Sequence, residues 1–202
     1  MKQIVKSSLI AGTSIAAIVG LVLAPTFQAS AASNTANTTI NATVNAVISI
    51  TTGSTVAISL TPTGSGVVSS ASDTVTVSTN NSTGYNLKLA DSDATTTLVN
   101  GANNFAAHTG TFVAPTALAN NTWGYAVAAA GGFDASYSAE NNSTTSTTKW
   151  AGVPATGSPV TLKTTAVTAS NDTTTVWYGA KSTTAQPTGV YTDTVTYTAT
   201  TN

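Results

Sequence analysis

Along most of the chain, apolar and polar residues alternate with a period of two. That is the repeat of a pleated strand, whose successive side chains point to opposite faces. The cleanest run is Thr38 to Ile50. Ile40, Ala42, Val44, Ala46, Ile48 and Ile50 share one face, and Asn41, Thr43, Asn45 and Ser49 the other, with Val47 the exception. At about 3.3 Å per residue this is a long strand, well beyond the usual five or six residues. Thr51-Thr52-Gly53-Ser54 interrupts it, and Val56, Ile58 and Leu60 form the inner face of the next strand. So short a link predicts a local hairpin. After the turn cluster Pro62 to Gly66, Asp73 to Thr79 carries Val75 and Val77. Asn80 to Gly84 is a turn, and Tyr85, Leu87 and Leu89 follow at period two. The pattern predicts a second hairpin here.

The middle of the chain is looser. Leu98-Val99 before Asn100-Gly101 reads as a short strand and turn, and Phe105, Phe112 and Leu118 as plugs beneath a long loop. Thr122 to Val127 predicts a strand with Trp123, Tyr125 and Val127 on one face. Ala128 to Thr148, with Gly131-Gly132, Asn141-Asn142 and a Ser/Thr run, predicts a long, exposed and mobile loop, closed by Trp150 and Val153. Ser158-Pro159 opens a strand over Val160 to Val167. Near the C-terminus, Val176, Tyr178 and Ala180 alternate with Thr175, Trp177 and Gly179. Tyr191, Val195, Tyr197 and Ala199 then share a face on which Asp193 is the polar exception. Gln186-Pro187-Thr188-Gly189 has turn chemistry, so a third hairpin is expected, at the centre of the fold. Consecutive Trp177 and Tyr178 must face opposite ways, and one of them is expected in the core.

The run Pro187-x-Gly189-x-Tyr191-x-Asp193-x-Val195-x-Tyr197 resembles the closing strand of secreted bacterial β-sandwich proteins. It is similar to the ending of spore-coat-U-like and fimbrial subunits and of surface proteins of the WxL kind. The resemblance implies a sandwich fold and a place on the cell surface.

The N-terminus adds a destination. Lys2 and Lys6 precede an uncharged, largely apolar run from Leu9 to Ala24, and Ala29-Ser30-Ala31 is a small-x-small cleavage site. This is the layout of a secretory signal peptide. The run is shorter than the roughly 20 residues of a membrane span. The expected organisation is a signal peptide over 1–31, a flexible lead-in over 32–37 and one domain over 38–202. That domain is expected to be an all-β, Greek-key-like (immunoglobulin-like) sandwich. No transmembrane segment is expected in the mature chain, which is placed outside the cell, secreted or at the cell surface.

Charge narrows the chemistry. The chain has six basic residues, all lysine, against seven acids; loss of Lys2 and Lys6 leaves four against seven, a formal charge of −3. A nucleic-acid partner needs a basic surface and is excluded. There is no cysteine, so the domain folds without disulfide staples.

Candidate sites are few. His108 is the only histidine and no GxSxG motif accompanies it, so a hydrolytic triad is not expected. The acids fall mostly at turns and strand ends, and no enzymatic activity or cofactor is expected. Asp91-Ser92-Asp93 offers two carboxylates on one loop as calcium candidates, against an Asx-type turn. Trp150, in a loop, is the aromatic to be tested as an exposed ligand contact. Lys88, Lys163 and Lys181 lie in or beside strands, where an internal crosslink or ordinary solvation are the alternatives. These residues predict a non-enzymatic structural or adhesive surface protein. The alternatives are a fimbrial-type subunit assembling by strand donation and a carbohydrate-binding module. Other surface proteins, cell-wall or host glycans, or further copies of the chain are the expected partners.

Overall fold

The computed structural model describes residues 32–202. The signal peptide expected over 1–31 lies outside these residues. Residues 32–42 precede the compact unit Thr43–Asn202, and all are exposed and outside any strand.

Thr43–Asn202 is all-β, with no helix among the described residues. The strands are β1 (Ile48–Thr51), β2 (Val67–Thr79), β3 (Tyr85–Asp91), β4 (Leu98–Asn100), β5 (Asn103–Ala107), β6 (Thr116–Ala117), β7 (Thr122–Ala126), β8 (Lys149–Trp150), β9 (Val160–Thr164), β10 (Ala169–Ser182) and β11 (Val195–Thr201). A six-stranded sheet runs β1-β2-β10-β7-β5-β4, a three-stranded sheet runs β11-β3-β9, and β6 and β8 form a small third sheet. All pairings are antiparallel except β5 with β7. The two larger sheets are arranged as a sandwich. Its core contains Val75, Val77, Tyr85, Leu87, Leu89, Leu162, Val176 and Tyr178, all buried.

None of the three expected hairpins forms. In the second and third, the strands are present with the expected faces, but their partners differ. β2 pairs with β10 and β1, whereas β3 pairs with β11 and β9. The turn at Asn80–Gly84 therefore carries the chain from one sheet to the other. The same holds at the C-terminus, where β10 lies in the six-stranded sheet and β11 in the other. Alternation specifies which side chains face inward, and both a hairpin and a sheet-to-sheet crossing preserve that. The predicted strand over Thr38–Ile50 shortens to β1, which pairs through Ile48↔Thr79 to Thr51↔Thr76. Beyond Thr79 its partner turns away. Side chains alone continue the ladder: the Thr79 hydroxyl donates to the Val47 carbonyl at 2.7 Å, and the Asn80 side chain accepts from Val47 N–H at 2.8 Å and donates to the Asn45 carbonyl at 3.0 Å. Val56, Ile58 and Leu60 do turn toward the core, but without forming a strand.

Two polar ties cross between the large sheets. The Tyr178 hydroxyl on β10 hydrogen-bonds the Tyr197 hydroxyl on β11 at 2.7 Å. Burial holds both phenols well above their ordinary pKa, so neither ionises near neutrality. Tyr85 on β3 donates to Asp172 Oδ2 on β10 at 2.8 Å, and Lys163 on β9 meets Asp172 Oδ1 at 2.6 Å. Of the Trp177–Tyr178 pair, Tyr178 is the core residue and Trp177 is half-buried on the opposite face.

Tyr178→Ala is expected to cost about 3–5 kcal/mol, the range for large aromatics removed from a core. Tyr178→Phe, which keeps the ring and deletes the tie, is expected to cost about 1 kcal/mol. Urea denaturation of both variants checks this; equal losses would show that the hydroxyl pair, and not the ring, dominates.

Candidate functional site

The expected ligand-contact aromatic is a core residue. Trp150 is 1% exposed, and its indole N–H donates to Thr148 Oγ1 at 2.9 Å. Gly179 on β10 stands directly opposite Gly124 on β7, on the face away from Tyr178 and Tyr125. The Trp150 ring lies on Gly179, where a Cβ would come within 2.7 Å of it, and the Ala151 carbonyl would lie 2.3 Å from a Cβ on Gly124. Glycine at both positions opens the floor on which this segment packs. Tyr137 meets the indole edge-on, with ring centroids 5.4 Å apart. With its rim so covered, Trp150 presents no face to a glycan.

The segment Ala128–Thr148 is likewise not a free loop. Ser143 exchanges backbone hydrogen bonds with Val68 at 2.8 and 2.9 Å, and Ser70 N–H donates to the Glu140 carbonyl at 3.0 Å. Glu140 and Asn142 N–H groups donate to the Ser70 and Ser69 hydroxyls. These bonds satisfy part of the β2 edge that β1 leaves uncovered. Phe133 is buried within the segment.

His108 is buried. Its Nε2 lies 2.8 Å from Thr116 Oγ1, and Ala119 N–H donates to Nδ1 at 3.4 Å. Burial lowers its pKa, against a smaller opposing effect of Thr116. Its hydrogen-bond partners are threonines and backbone, with no carboxylate among them.

The calcium candidates Asp91 and Asp93 serve turns. Asp91 Oδ1 accepts from Asp93 N–H at 2.9 Å, and Asp93 Oδ1 accepts from Thr95 N–H at 2.6 Å. Among the described residues no three acidic, histidine or cysteine side chains converge to hold a metal ion. The sequence reading missed a third carboxylate, Asp193, which the Ser92–Thr194 backbone bond brings beside Asp91 on the approach to β11. Its signal was visible as the one polar residue on an otherwise apolar face, since buried acids need partners. Asp93 and Asp193, with Ser92 and several threonines, line a cleft of about 240 Å³.

Edges are the other exposed chemistry. β11 and β9 bound the three-stranded sheet, and the inward Val195, Tyr197 and Ala199 of β11 are only half-buried. Residues 54–60 make no hydrogen bond through their backbone to any described residue. Val44 and Val47 are 85% and 63% exposed.

No family model matches this chain, and no curated protein or solved structure matches it.

One site ties chemistry to stability. Burial pushes the Asp172 carboxyl up, but hydrogen bonds from Lys163 and Tyr85 outweigh it and hold the carboxyl below its ordinary value. A depressed carboxyl contributes stability above its unfolded pKa of about 3.9, lost as pH falls through the folded value. Asp172→Asn is therefore expected to be less stable than wild type at neutral pH and to converge with it under strong acid. Thermal melts from about pH 2 to about pH 7 check this; a constant gap across that range would contradict it.

Proposed function

We propose that this chain is an exported structural or adhesive protein of the cell surface, working without catalysis, whose copies join by strand addition. The supporting observation is the fate of its longest apolar alternation. Ile40, Val44 and Val47 are exposed rather than buried in a strand. An extended segment of this pattern buries its apolar face by pairing with an open sheet edge, where backbone bonds give affinity and alternate side chains give register. The half-buried inner face of β11, on an edge strand of seven residues, is the acceptor this reading favours. An edge left open is otherwise an aggregation liability. The resemblance of the closing strand to fimbrial and surface subunits agrees with this reading.

The wider reading draws on surface chemistry. Threonine and serine are frequent on the outward faces of β2, β10 and β11, and without Lys2 and Lys6 only four lysines stand against seven acids. Such a surface suits a protein that packs among neighbours rather than one that steers a charged substrate.

The test compares the mature chain with a shortened chain beginning at Ala46. The mature chain is expected to form concentration-dependent oligomers by light scattering. The shortened chain should stay monomeric and melt near the same temperature, because residues before Ala46 pair with no strand of their own unit. A peptide of residues 38–47 should bind the shortened chain. Two monomers, with no peptide binding at high concentration, would contradict strand addition.

A further inference from the structure

The corner that holds β11 in place contains two carboxylates with no counter-charge. Thr192 exchanges backbone hydrogen bonds with Val99 of β4, at 2.9 and 3.1 Å, which ties the chain to the six-stranded sheet. Two residues later the Thr194 carbonyl accepts from Ser92 N–H, just past β3, at 2.9 Å, which ties it to the three-stranded sheet. Asp193 sits between these bonds. Its Oδ1 accepts from Thr194 N–H at 2.7 Å. Its Oδ2 is buried with no donor, and so is Oδ2 of Asp91. Asp91 is fully buried, with its own Oδ1 taken by Asp93 N–H and its backbone N–H held by the Pro154 carbonyl at 2.8 Å.

Two neighbouring carboxylates, one fully buried and one half-buried, each with an inaccessible and unpartnered oxygen, cannot both ionise without a severe repulsion. A proton between them turns repulsion into a hydrogen bond and satisfies both orphaned oxygens. Among the described residues, the charged groups acting on Asp193 are Asp91 and Asp93, with no lysine or histidine beside them.

We propose that Asp193 and Asp91 form a proton-operated clasp, closed when Asp193 is protonated and loosened when it ionises, that controls how firmly β11 is held at the junction of the two sheets. Burial, then the nearby Asp91 and Asp93, raise the Asp193 carboxyl to about 7, against the opposing Thr194 N–H. The sign follows from linkage. A carboxyl raised in the folded state contributes stability that is complete below its unfolded pKa, about 3.9, and lost as pH rises toward 7. The clasp thus weakens across the mildly acidic to neutral range, opposite in direction to the Asp172 tie. It requires no assembly of copies and stands apart from the strand-addition reading.

The test is a ¹³C-carboxyl NMR titration of the mature wild-type chain, with thermal melts at about pH 5 and about pH 8. Asp193 is expected to titrate near neutrality, and wild type to melt several degrees lower at the higher pH. Asp193→Asn, which keeps a donor facing Asp91, should lose most of that difference. Asp91→Asn, which relieves the same repulsion from the other side, should lose it too. Titration of Asp193 in the ordinary carboxylate range would overturn the clasp, as would an unchanged pH difference in both variants. Millimolar calcium that raised the wild-type melting temperature at the higher pH, but not that of Asp193→Asn, would overturn it in favour of a cation site.

Discussion

The structure depends on the burial of β10 from both sides. On one face Tyr178 and Val176 pack toward the three-stranded sheet, and Tyr178 reaches across to Tyr197. On the other, Gly179 makes room for the Trp150 indole. β10 is also flanked within its sheet by β2 over its length and by β7 at its C-terminal half. Its C-terminal half, covered above, below and on both edges, is the natural centre of a cooperative unit. With about 25 cal/mol per Å² of apolar surface buried, its large aromatics dominate the favourable energy. The consecutive pair Tyr178-Gly179 thus joins two cores, one inside the sandwich and one beneath the Ala128–Val153 segment.

Around that centre, polar ties choose which edge goes where. The Tyr85–Asp172–Lys163 chain fastens β3 and β9 to β10. The Val99–Thr192 and Ser92–Thr194 bonds fasten the approach to β11. Segment 138–143 covers the N-terminal half of the β2 edge, and β1 covers the other half. Among the described residues, β9, β11 and the outer side of β1 have no further strand partner, β1 lying near β11 without pairing to it, and the alternating segment before β1 has none either. The functional reading follows from that remainder, because an unpaired alternating segment and an open edge have complementary needs.

Much of this was legible in the residues. The alternations of β2, β3, β7, β10 and β11 placed their inward faces correctly, and the Trp177–Tyr178 argument placed one aromatic in the core. Strand pairing was not legible. Asn80-Asn81-Ser82-Thr83-Gly84 has the same turn chemistry whether the chain folds back on itself or crosses to a second sheet. Trp150 read as a loop residue because β8 is only two residues long and shows no period. The floor of Trp150 and Ala151 is supplied from far away in sequence, by Gly179 under the indole and Gly124 under the Ala151 carbonyl. Two glycines inside strands otherwise rich in threonine, valine and aromatics were the available sign of a close approach. Thr38–Ile50 misled for the opposite reason. Its pattern is strand-like throughout, but a strand also needs a partner backbone, and β2 ends at Thr79.

The central claim is that the first half of the chain's best strand pattern, residues 38–44, is unpaired in the single molecule while β10 is its most protected element. Amide hydrogen exchange, mapped residue by residue on dilute mature protein, tests this most directly, since exchange reports local opening. The account predicts slowest exchange in β10 and the facing part of β2. Residues 38–44 should exchange near the rate of an unfolded chain. Protection across 38–44 matching that of β2 would contradict it, because the segment would then already be a strand of its own domain.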